Sequence, residues 1–362
     1  MTYNILITGG AGYIGSLLAF KLIKEGHSIT LYDNLLYQQD LSLSILHDML
    51  TNNISVEEGI LRSHPISFDN FKHFKFINGD IRDREKLEKL FSENKFDFIF
   101  HLAELVGYYA CEKDVNLTKE INFGGTKLIT DLVKKHGGVL IYNSSSSIYG
   151  SRENPDEILD EDAYLPLDKL DTYCMNKIFS ENYIKEEGRK NPSFKYVLLR
   201  PATVGGLSPR MRLTLFPNHF TYAALIQKKL SLTEPNNYRV IIDLNDLIES
   251  YISIVNAKEI YKGVFNIGCH NMTKKQYVDE ISKILEPEKI EINSIEKIGN
   301  ERNLRISSEK FKKYYGFEAK KAFSETVKPL VSLLKKNPEV FSKDNFKGVI
   351  NTSLEEWKLL LS

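Results

Sequence analysis

Tyr173 and Lys177 stand four residues apart in Tyr173-Cys174-Met175-Asn176-Lys177. On a helix that spacing puts a phenol and an ammonium one turn apart on one face. A free phenol, with a pKa near ~10, is a poor base at neutral pH. A neighbouring lysine cation favours phenolate and lowers that pKa, so the pair can take a proton from a substrate hydroxyl. The spacing alone carries little weight in a chain with 19 tyrosines. Its weight comes from what precedes it. Asn143-Ser144-Ser145-Ser146-Ser147-Ile148-Tyr149-Gly150 follows an apolar run, and an acidic, proline-containing loop leads from there to Tyr173. A hydroxyl in the serine run can hydrogen-bond a substrate oxygen and stabilise charge developing on it. A serine-rich turn is the plain alternative. Cys174 points away from Tyr173 and reads as packing.

A second chemistry-bearing stretch opens the chain: Thr8-Gly9-Gly10-Ala11-Gly12-Tyr13-Ile14-Gly15. Gly9, Gly12 and Gly15 form G-x-x-G-x-x-G between an apolar strand and a helical pattern, the context that gives a glycine triplet meaning. Glycines let backbone N–H groups approach a pyrophosphate at the positive end of the following helix. The second apolar run ends at Asp33, 18 residues beyond Gly15. A carboxylate there accepts from a ribose diol and repels a 2′-phosphate, which favours NAD over NADP. Asp33-Asn34 also fits a simple turn. The third run ends Gly79-Asp80-Ile81-Arg82-Asp83, where Asp80 can meet an adenine amino group or cap a helix. An oxidised nicotinamide beside Tyr173 would favour phenolate further, and Lys177 can hold its ribose.

The elements that must position these groups alternate. Ile5–Ile7, Ile29–Tyr32, Phe74–Ile77, Phe98–Phe100 and Val139–Tyr142 read as buried strands, with helices between them at Ser16–Glu25, Arg84–Glu93 and Thr126–Lys135. That alternation predicts a doubly wound α/β fold with a parallel sheet covered on both faces. Asp40–His73 is long for a connection and is expected to hold a helix over Leu41–Leu50. The second half is less regular. Val264–Ile267 reads as a strand, Thr273-x-x-Gln276 as a capping box opening a helix through Leu285, and Gly316 as the cap ending a helix over Phe311–Tyr315. No linker separates the halves, so two lobes sharing one core are expected.

Lysine plus arginine equals aspartate plus glutamate, 48 each, which argues against nucleic acid and acidic membrane as partners. The most apolar stretch, Phe96–Cys111, carries Asp97, His101 and Glu104, so no membrane span is expected. Cys111, Cys174 and Cys269 are widely separated, odd in number and without metal-ligand spacing, and no metal is expected. With no secretory signal visible at the N-terminus, the expected compartment is the cytoplasm.

As an ordered set, TGGAGYIG, Asp33-Asn34, GDIRD, His101-Leu102-Ala103, Asn122 in Asn-Phe-Gly-Gly-Thr, SSSSIYG, the Tyr-x-x-x-Lys pair and Arg200-Pro201 resemble the extended short-chain dehydrogenase/reductase family over about residues 3 to 320. The family includes nucleotide-sugar 4-epimerases, 4,6-dehydratases, decarboxylases and 4-dehydrogenases. The resemblance implies a Rossmann domain, here residues 1–200 with the long 40–73 insertion, a smaller α/β lobe holding the nucleotide, mainly 201–330 with segments returning to the Rossmann core, and, as is frequent in the family, a homodimer through a helix pair; residues 331–362 read as a C-terminal extension. It makes Ser145 the partner of Tyr173 and Lys177. Tyr13, Ile14, Ile81, Leu102, Ala103 and Asn122 match cofactor positions, and Pro201 and Val204 lie beside the nicotinamide. Arg239 in Tyr-Arg-Val-Ile-Ile-Asp matches an arginine that grips sugar-nucleotide phosphates, and Arg302 lies in a similarly placed second motif. A guanidinium fork suits diphosphate oxygens.

The sequence also departs from the pattern. Dehydratases carry Asp-Glu after the catalytic hydroxyl, whereas Ser146 and Ser147 stand here, which disfavours 4,6-dehydration. Glu104 replaces a small residue, and Thr203 stands where many members bind substrate through Asn. Leu105–Cys111 and Arg200–Leu213 resemble the branch oxidising C4 of GDP-heptose, which adds Arg210 and Arg212 to the phosphate site. The expected function is therefore NAD-dependent chemistry at C4 of a GDP- or UDP-linked sugar, ending in epimerisation or in a 4-keto product. A non-catalytic NAD-binding scaffold and a reductase of a small carbonyl compound stay open beside it.

Overall fold

The computed structural model describes residues 1–36, 40–62, 64, 66–67, 72–154, 156–286, 290–295 and 302–341. The five expected strands form β1 (Asn4–Thr8), β2 (Ser28–Asp33), β3 (Lys75–Asn78), β4 (Phe98–His101) and β5 (Val139–Asn143), each within one residue of its expected ends. A two-residue strand, β6 (Ile158–Leu159), precedes β7 (Lys195–Pro201). Then come β8 (Thr203–Gly205), β9 (Lys229–Thr233), β10 (Tyr238–Asp243), β11 (Gly263–Ile267), β12 (His270–Thr273), β13 (Glu291–Ile295) and β14 (Arg305–Ile306). Seven of these make one parallel sheet in the order β11-β7-β5-β4-β1-β2-β3. The chain winds from β1 to one side, then resumes at β4 on the other. That reversal opens a crevice at the carboxyl ends of β1 and β4.

Strands buried on both faces explain the unbroken apolar runs. Ile5, Ile7, Phe98, Phe100, Val139, Ile141, Val197 and Leu199 belong to one cluster, beneath helices Tyr13–Lys24, Asp40–Asn52 and Leu244–Val255. Leu6, Ile99, Leu140 and Leu198 belong to the other, beneath helices Arg84–Glu93, Gly125–His136 and Thr172–Lys190. A fully buried aliphatic side chain is worth about 1.5–3 kcal/mol, and intrinsic strand preference spans only about 1 kcal/mol. Burial therefore sets the register.

The remaining strands form small sheets: β12-β10-β8, with β10 parallel to β8 and antiparallel to β12, and the parallel pairs β13-β9 and β14-β6. The expected capping box is present: Thr273 N–H donates to Gln276 Oε1 (2.8 Å) and Gln276 N–H to Thr273 Oγ1 (3.2 Å), opening Lys274–Leu285. Gly316, at φ +68°, closes Glu309–Tyr315. The 40–73 segment holds a second helix, Val56–Arg62, that was not expected. Reciprocal bonds between Ser55 and Glu58 open it. Of this segment, residues 63, 65 and 68–71 fall outside the described residues, as do residues 342–362 of the expected C-terminal extension. Among the described residues no helix is long and apolar enough to cross a membrane.

Candidate active site

The glycine turn lies at the end of β1. Gly9 has φ +71°, and a Cβ there would stand 2.8 Å from the Ala103 nitrogen and the Leu102 carbonyl carbon. A Cβ on Gly15 would stand 2.3 Å from Gly9 O. Only bare backbone fits this turn. The helix Tyr13–Lys24 then starts at Gly12, with no side-chain cap and no acid in its first turn. Its first residues line the cleft, and its leading N–H groups favour an anion there. At the end of β2, Asp33 Oδ1 accepts from Leu35 N (2.8 Å) and Oδ2 from Ala11 N (3.1 Å). Burial pushes its carboxyl up, against these two donors and the Arg210 guanidinium. Asp80 is held down at about 2, chiefly by its hydrogen bonds to Arg82, and it also accepts from Asn34 Nδ2 (3.3 Å).

β4 and β5 carry the wall between this turn and the catalytic groups. His101 bridges Thr8 Oγ1 (2.7 Å) and Thr126 Oγ1 (3.0 Å), and Thr126 Oγ1 donates to Asn122 O (2.5 Å). Burial, with the Lys177 charge adding, pulls the imidazole down to about 3, so it is neutral. Asn122 Oδ1 accepts from Leu105 N and Nδ2 donates to Leu105 O, both at 2.8 Å. Asn122 is fully buried and does not line the cleft. It fixes the 103–105 backbone that does.

The helix Thr172–Lys190 is N-capped by Asp171, whose Oδ1 accepts from Cys174 N (2.8 Å). Its first turns present Tyr173 and Lys177 to the cleft on one face, with Ser145 lining the same cleft beside Tyr173. Ser145 Oγ also accepts from Ser147 N (3.1 Å). Cys174 is buried against Ile148 and Ile178, which matches its reading as packing. Lys177 Nζ lies 5.5 Å from the Tyr173 ring centroid, donates to Asn143 O and pairs with Glu104 Oε2. Lys177 and Glu104 side chains are each 2% exposed, so they form the cleft floor. Burial alone would pull Lys177 down, but Glu104 and Tyr173 hold it above its ordinary value. Burial also raises Tyr173, with Lys177 opposing and Glu104 adding.

The serine loop rests on a buried ion pair. Arg200 donates to both oxygens of Glu181 (2.9 and 2.7 Å), and Ser144 Oγ donates to Glu181 Oε1 (2.6 Å). Arg200 Nη1 also donates to Tyr149 OH (2.8 Å), and Tyr149 OH donates to Asn266 Oδ1 (2.7 Å). Sequence reasoning took up Arg200 only as a motif marker and missed Glu181, which carried no signal beyond being an acid on a helix. It also missed Tyr142 and Tyr251 beneath the site. Tyr142 OH donates to Glu104 Oε1 (2.8 Å) and Tyr251 OH to Asn143 Oδ1 (2.5 Å).

One cleft of about 580 Å³ takes in both halves, within the usual range for small-molecule sites. It is lined by Gly9, Gly12, Tyr13, Ile14, Gly15, Asp33, Asn34, Asp80, Ile81, Leu102, Ala103, Pro201 and Val204, and by Ser145, Tyr173, Lys177, Thr203, Arg212, Arg239 and Arg302. Arg210 is not among them. It is fully buried, with its guanidinium acting on Asp33, whereas Arg212 two residues on reaches the cleft. Arg302 Nη2 donates to Asp171 Oδ2 (2.9 Å), which ties it to the catalytic helix. The glycine turn that no Cβ could share, the uncapped helix and the Asp33 carboxylate all fit a dinucleotide.

Residues 5–268 match the NAD dependent epimerase/dehydratase family. UDP-glucose 4-epimerase 2 of Arabidopsis thaliana is 25% identical over 360 residues, 93% of this chain and 97% of that protein. The probable UDP-arabinose 4-epimerase 3 of Oryza sativa subsp. japonica is 26% identical over 304 residues, 77% of this chain and 69% of that protein. Among solved structures, a UDP-glucose-4-epimerase from Stenotrophomonas maltophila with bound NAD and formylated UDP-arabinopyranose superposes with TM-score 0.78 at 17% identity. It covers 93% of this chain and 99% of its own. The UDP-glucuronic acid 4-epimerase of Bacillus cereus, in complex with UDP-glucuronic acid and NAD, gives TM-score 0.74 at 21% identity, covering 92% and 99%. A cleft that suits a dinucleotide and a match over most of the chain agree: this protein belongs to the NAD dependent epimerase/dehydratase family.

Proposed function

We propose that this chain inverts C4 of a nucleotide sugar, with a UDP-linked hexose or pentose as the first substrate class to test. The observation that carries this reading is the meeting of Ser145, Tyr173 and Lys177 with the glycine turn and three arginines in one cleft. Gly9, Gly12, Gly15, Asp33 and Lys177 are the residues to hold NAD, and bound NAD supplies a hydride acceptor for C4. Tyr173 takes the C4 hydroxyl proton as that hydride leaves, and Ser145 hydrogen-bonds the same oxygen. Once the 4-keto sugar has turned, C4 takes the hydride back on its other face as Tyr173 returns the proton to the oxygen. Arg239, Arg302 and Arg212 supply donors for the diphosphate.

In this reading residues 1–200 bind NAD and residues 201–330 mainly hold the sugar nucleotide. Ser146 and Ser147, where an acid would be needed to expel water, weigh against 4,6-dehydration. Two further readings belong with it. A homodimer is favoured by apolar side chains left exposed on neighbouring helices, Val115 and Phe179. A cytoplasmic setting is favoured by three free thiols, Cys111, Cys174 and Cys269.

The test is incubation of the purified protein with NAD and UDP-glucose, UDP-galactose, UDP-glucuronic acid, UDP-arabinose and GDP-linked sugars, with products resolved by chromatography and mass spectrometry. A C4 epimer of a UDP-sugar is the expected outcome. Accumulation of a 4-keto product, or turnover confined to GDP-sugars, would replace that reading with a 4-dehydrogenase or a different base. Turnover of none would remove it.

A further inference from the structure

Glu104 is a buried acid at the floor of the cleft, and the chemistry of the proposed function gives it no task. It follows β4, and its side chain is 2% exposed. One carboxylate oxygen pairs with Lys177 Nζ and the other accepts from Tyr142 OH (2.8 Å). An acid fully withdrawn from water is costly unless its partners are well placed. Both oxygens are occupied, and by partners from different elements: Lys177 from the catalytic helix and Tyr142 from β5. The Lys177 ammonium is met by two acceptors, Glu104 and Asn143 O, and lies over two phenol rings, at 4.8 Å from the Tyr142 centroid and 5.5 Å from that of Tyr173.

We propose that Glu104 is a positioning residue of the catalytic apparatus, holding Lys177 in place and cancelling its charge, so that Tyr173 works beside a neutral pair rather than beside a lone cation. The claim deepens the proposed function and rests on it. Wherever the shared proton lies, lysine plus carboxylate sum to zero charge, so Tyr173 meets a neutral pair however the pair titrates. A bare ammonium favours phenolate at Tyr173. With Glu104 beside it, much of that pull is offset, and Tyr173 becomes a base only once another positive charge, that of the oxidised nicotinamide, enters the cleft. The acid thereby keeps the proton on Tyr173 until the cofactor site is filled.

Among the described residues, the other charged groups beside this cluster include Glu181, Asp171, Arg302 and Arg212; Asp171 and Arg302 pair with each other, and Arg212 acts on Cys111. Glu181, along the same helix from Lys177, is itself satisfied by Arg200. His101 is neutral. Cys111, with its thiol donating to Leu105 O (3.4 Å), is pushed up to about 12 by burial first and then by Glu104. Cys174, Tyr142 and Tyr251 are all raised by burial. At neutral pH each of these three, like Cys111, keeps its proton and adds no charge near Tyr173.

Tyr173 must lose its proton to act, so activity rises with pH through its pKa in the NAD complex. Removing the negative charge at residue 104 lowers that pKa and moves the acidic limb to lower pH.

Glu104→Gln and Glu104→Ala, compared with wild type, test this through kcat against pH at saturating substrate. The expected result is an acidic limb displaced downward by about one to two pH units. Glu104→Asp, which keeps the charge, should stay nearer the wild-type profile. A second readout needs no turnover: phenolate absorbance of the NAD-free protein, taken as the difference from Tyr173→Phe, should appear at lower pH in the charge-free variants. An acidic limb and a phenolate titration unmoved in whichever charge-free variant is folded would overturn the proposal. So would a loss of kcat at all pH values with no displacement, which is what a purely structural role predicts. Failure of the enzymatic reading looks different, because full activity in Tyr173→Phe removes that reading whatever Glu104 does.

Discussion

The two ends of the cleft are built by opposite means. At the β1–β2 end, recognition falls to backbone and short side chains pinned at strand ends: the glycine turn, the bare start of helix Tyr13–Lys24, and Asp33 with both oxygens held by N–H groups. At the other end it falls to long side chains, Arg212, Arg239 and Arg302, reaching in from a loop, from β10 and from just before β14. The first arrangement is rigid and cannot be retuned without damaging the fold. The second can exchange a guanidinium or move a loop and leave the sheet untouched. In the proposed function a shared cofactor belongs with the first and a variable sugar nucleotide with the second.

The sharpest break in this comparison is at the seam. Tyr173→Phe should lower kcat by roughly 100- to 10,000-fold while leaving the NAD dissociation constant unchanged by titration. Unchanged turnover would remove the proton-transfer assignment and with it the seam.

Next comes the support beneath the seam. Arg200→Met leaves Glu181 buried without its cation, and stripping one partner from a buried pair costs about 3–5 kcal/mol. Urea unfolding should show a midpoint well below wild type. A midpoint equal to wild type would mean that the pair is not what holds the serine loop.

Smaller effects separate the two ends. Gly15→Val forces a side chain toward Gly9 O, and overpacking of this kind costs about 1–3 kcal/mol. The NAD dissociation constant should rise by a corresponding factor of about 5 to 150, with no separate change in nucleotide-sugar affinity when NAD is saturating. Arg239→Ala should do the reverse. Loss of a charge-assisted contact of about 1.5–3 kcal/mol raises KM for the sugar nucleotide by an order of magnitude or more and leaves NAD binding alone. Equal effects of either variant on both ligands would dissolve the distinction between the ends. The mildest change is Arg212→Lys, which keeps the charge and loses the planar fork. It should raise KM only several-fold, a net hydrogen bond being worth about 1 kcal/mol.

The rigid end is also the end that could be read from the sequence. Gly9, Gly12, Gly15 and Asp33 act through local spacing, as do Tyr173 and Lys177 on one helical turn, and the strands declare themselves by runs that must be apolar on both sides. What could not be read depends on which distant residues meet. Nothing near Glu104 in sequence announces Lys177, and nothing near Arg200 announces Glu181. Arg210 and Arg212 looked equivalent as neighbours in a basic loop, but the loop turns one inward to Asp33 and the other into the cleft. Asn122, in a π-helical stretch over Lys119–Gly124, faces the backbone it holds rather than the cleft. The short strands of the second half carry mixed polar patterns, such as exposed Lys229 and Ser231 alternating with buried Leu230 and Leu232, and left no continuous signal.

That basic loop has a consequence for how the cleft fills. Ser208 Oγ donates to Tyr13 O (2.6 Å) at the start of the first helix, Arg210 bears on Asp33, and Arg212 Nε is steadied by Thr214 Oγ1 (3.1 Å) at the far side. Five residues thus run from contacts at the glycine turn to contacts at the arginine end, and any coupling between the two guests of the proposed function has this loop as its path. Whatever factor the first arrival lends the second is returned in equal measure, which makes the order of arrival a matter of kinetics and the two affinities a single linked quantity.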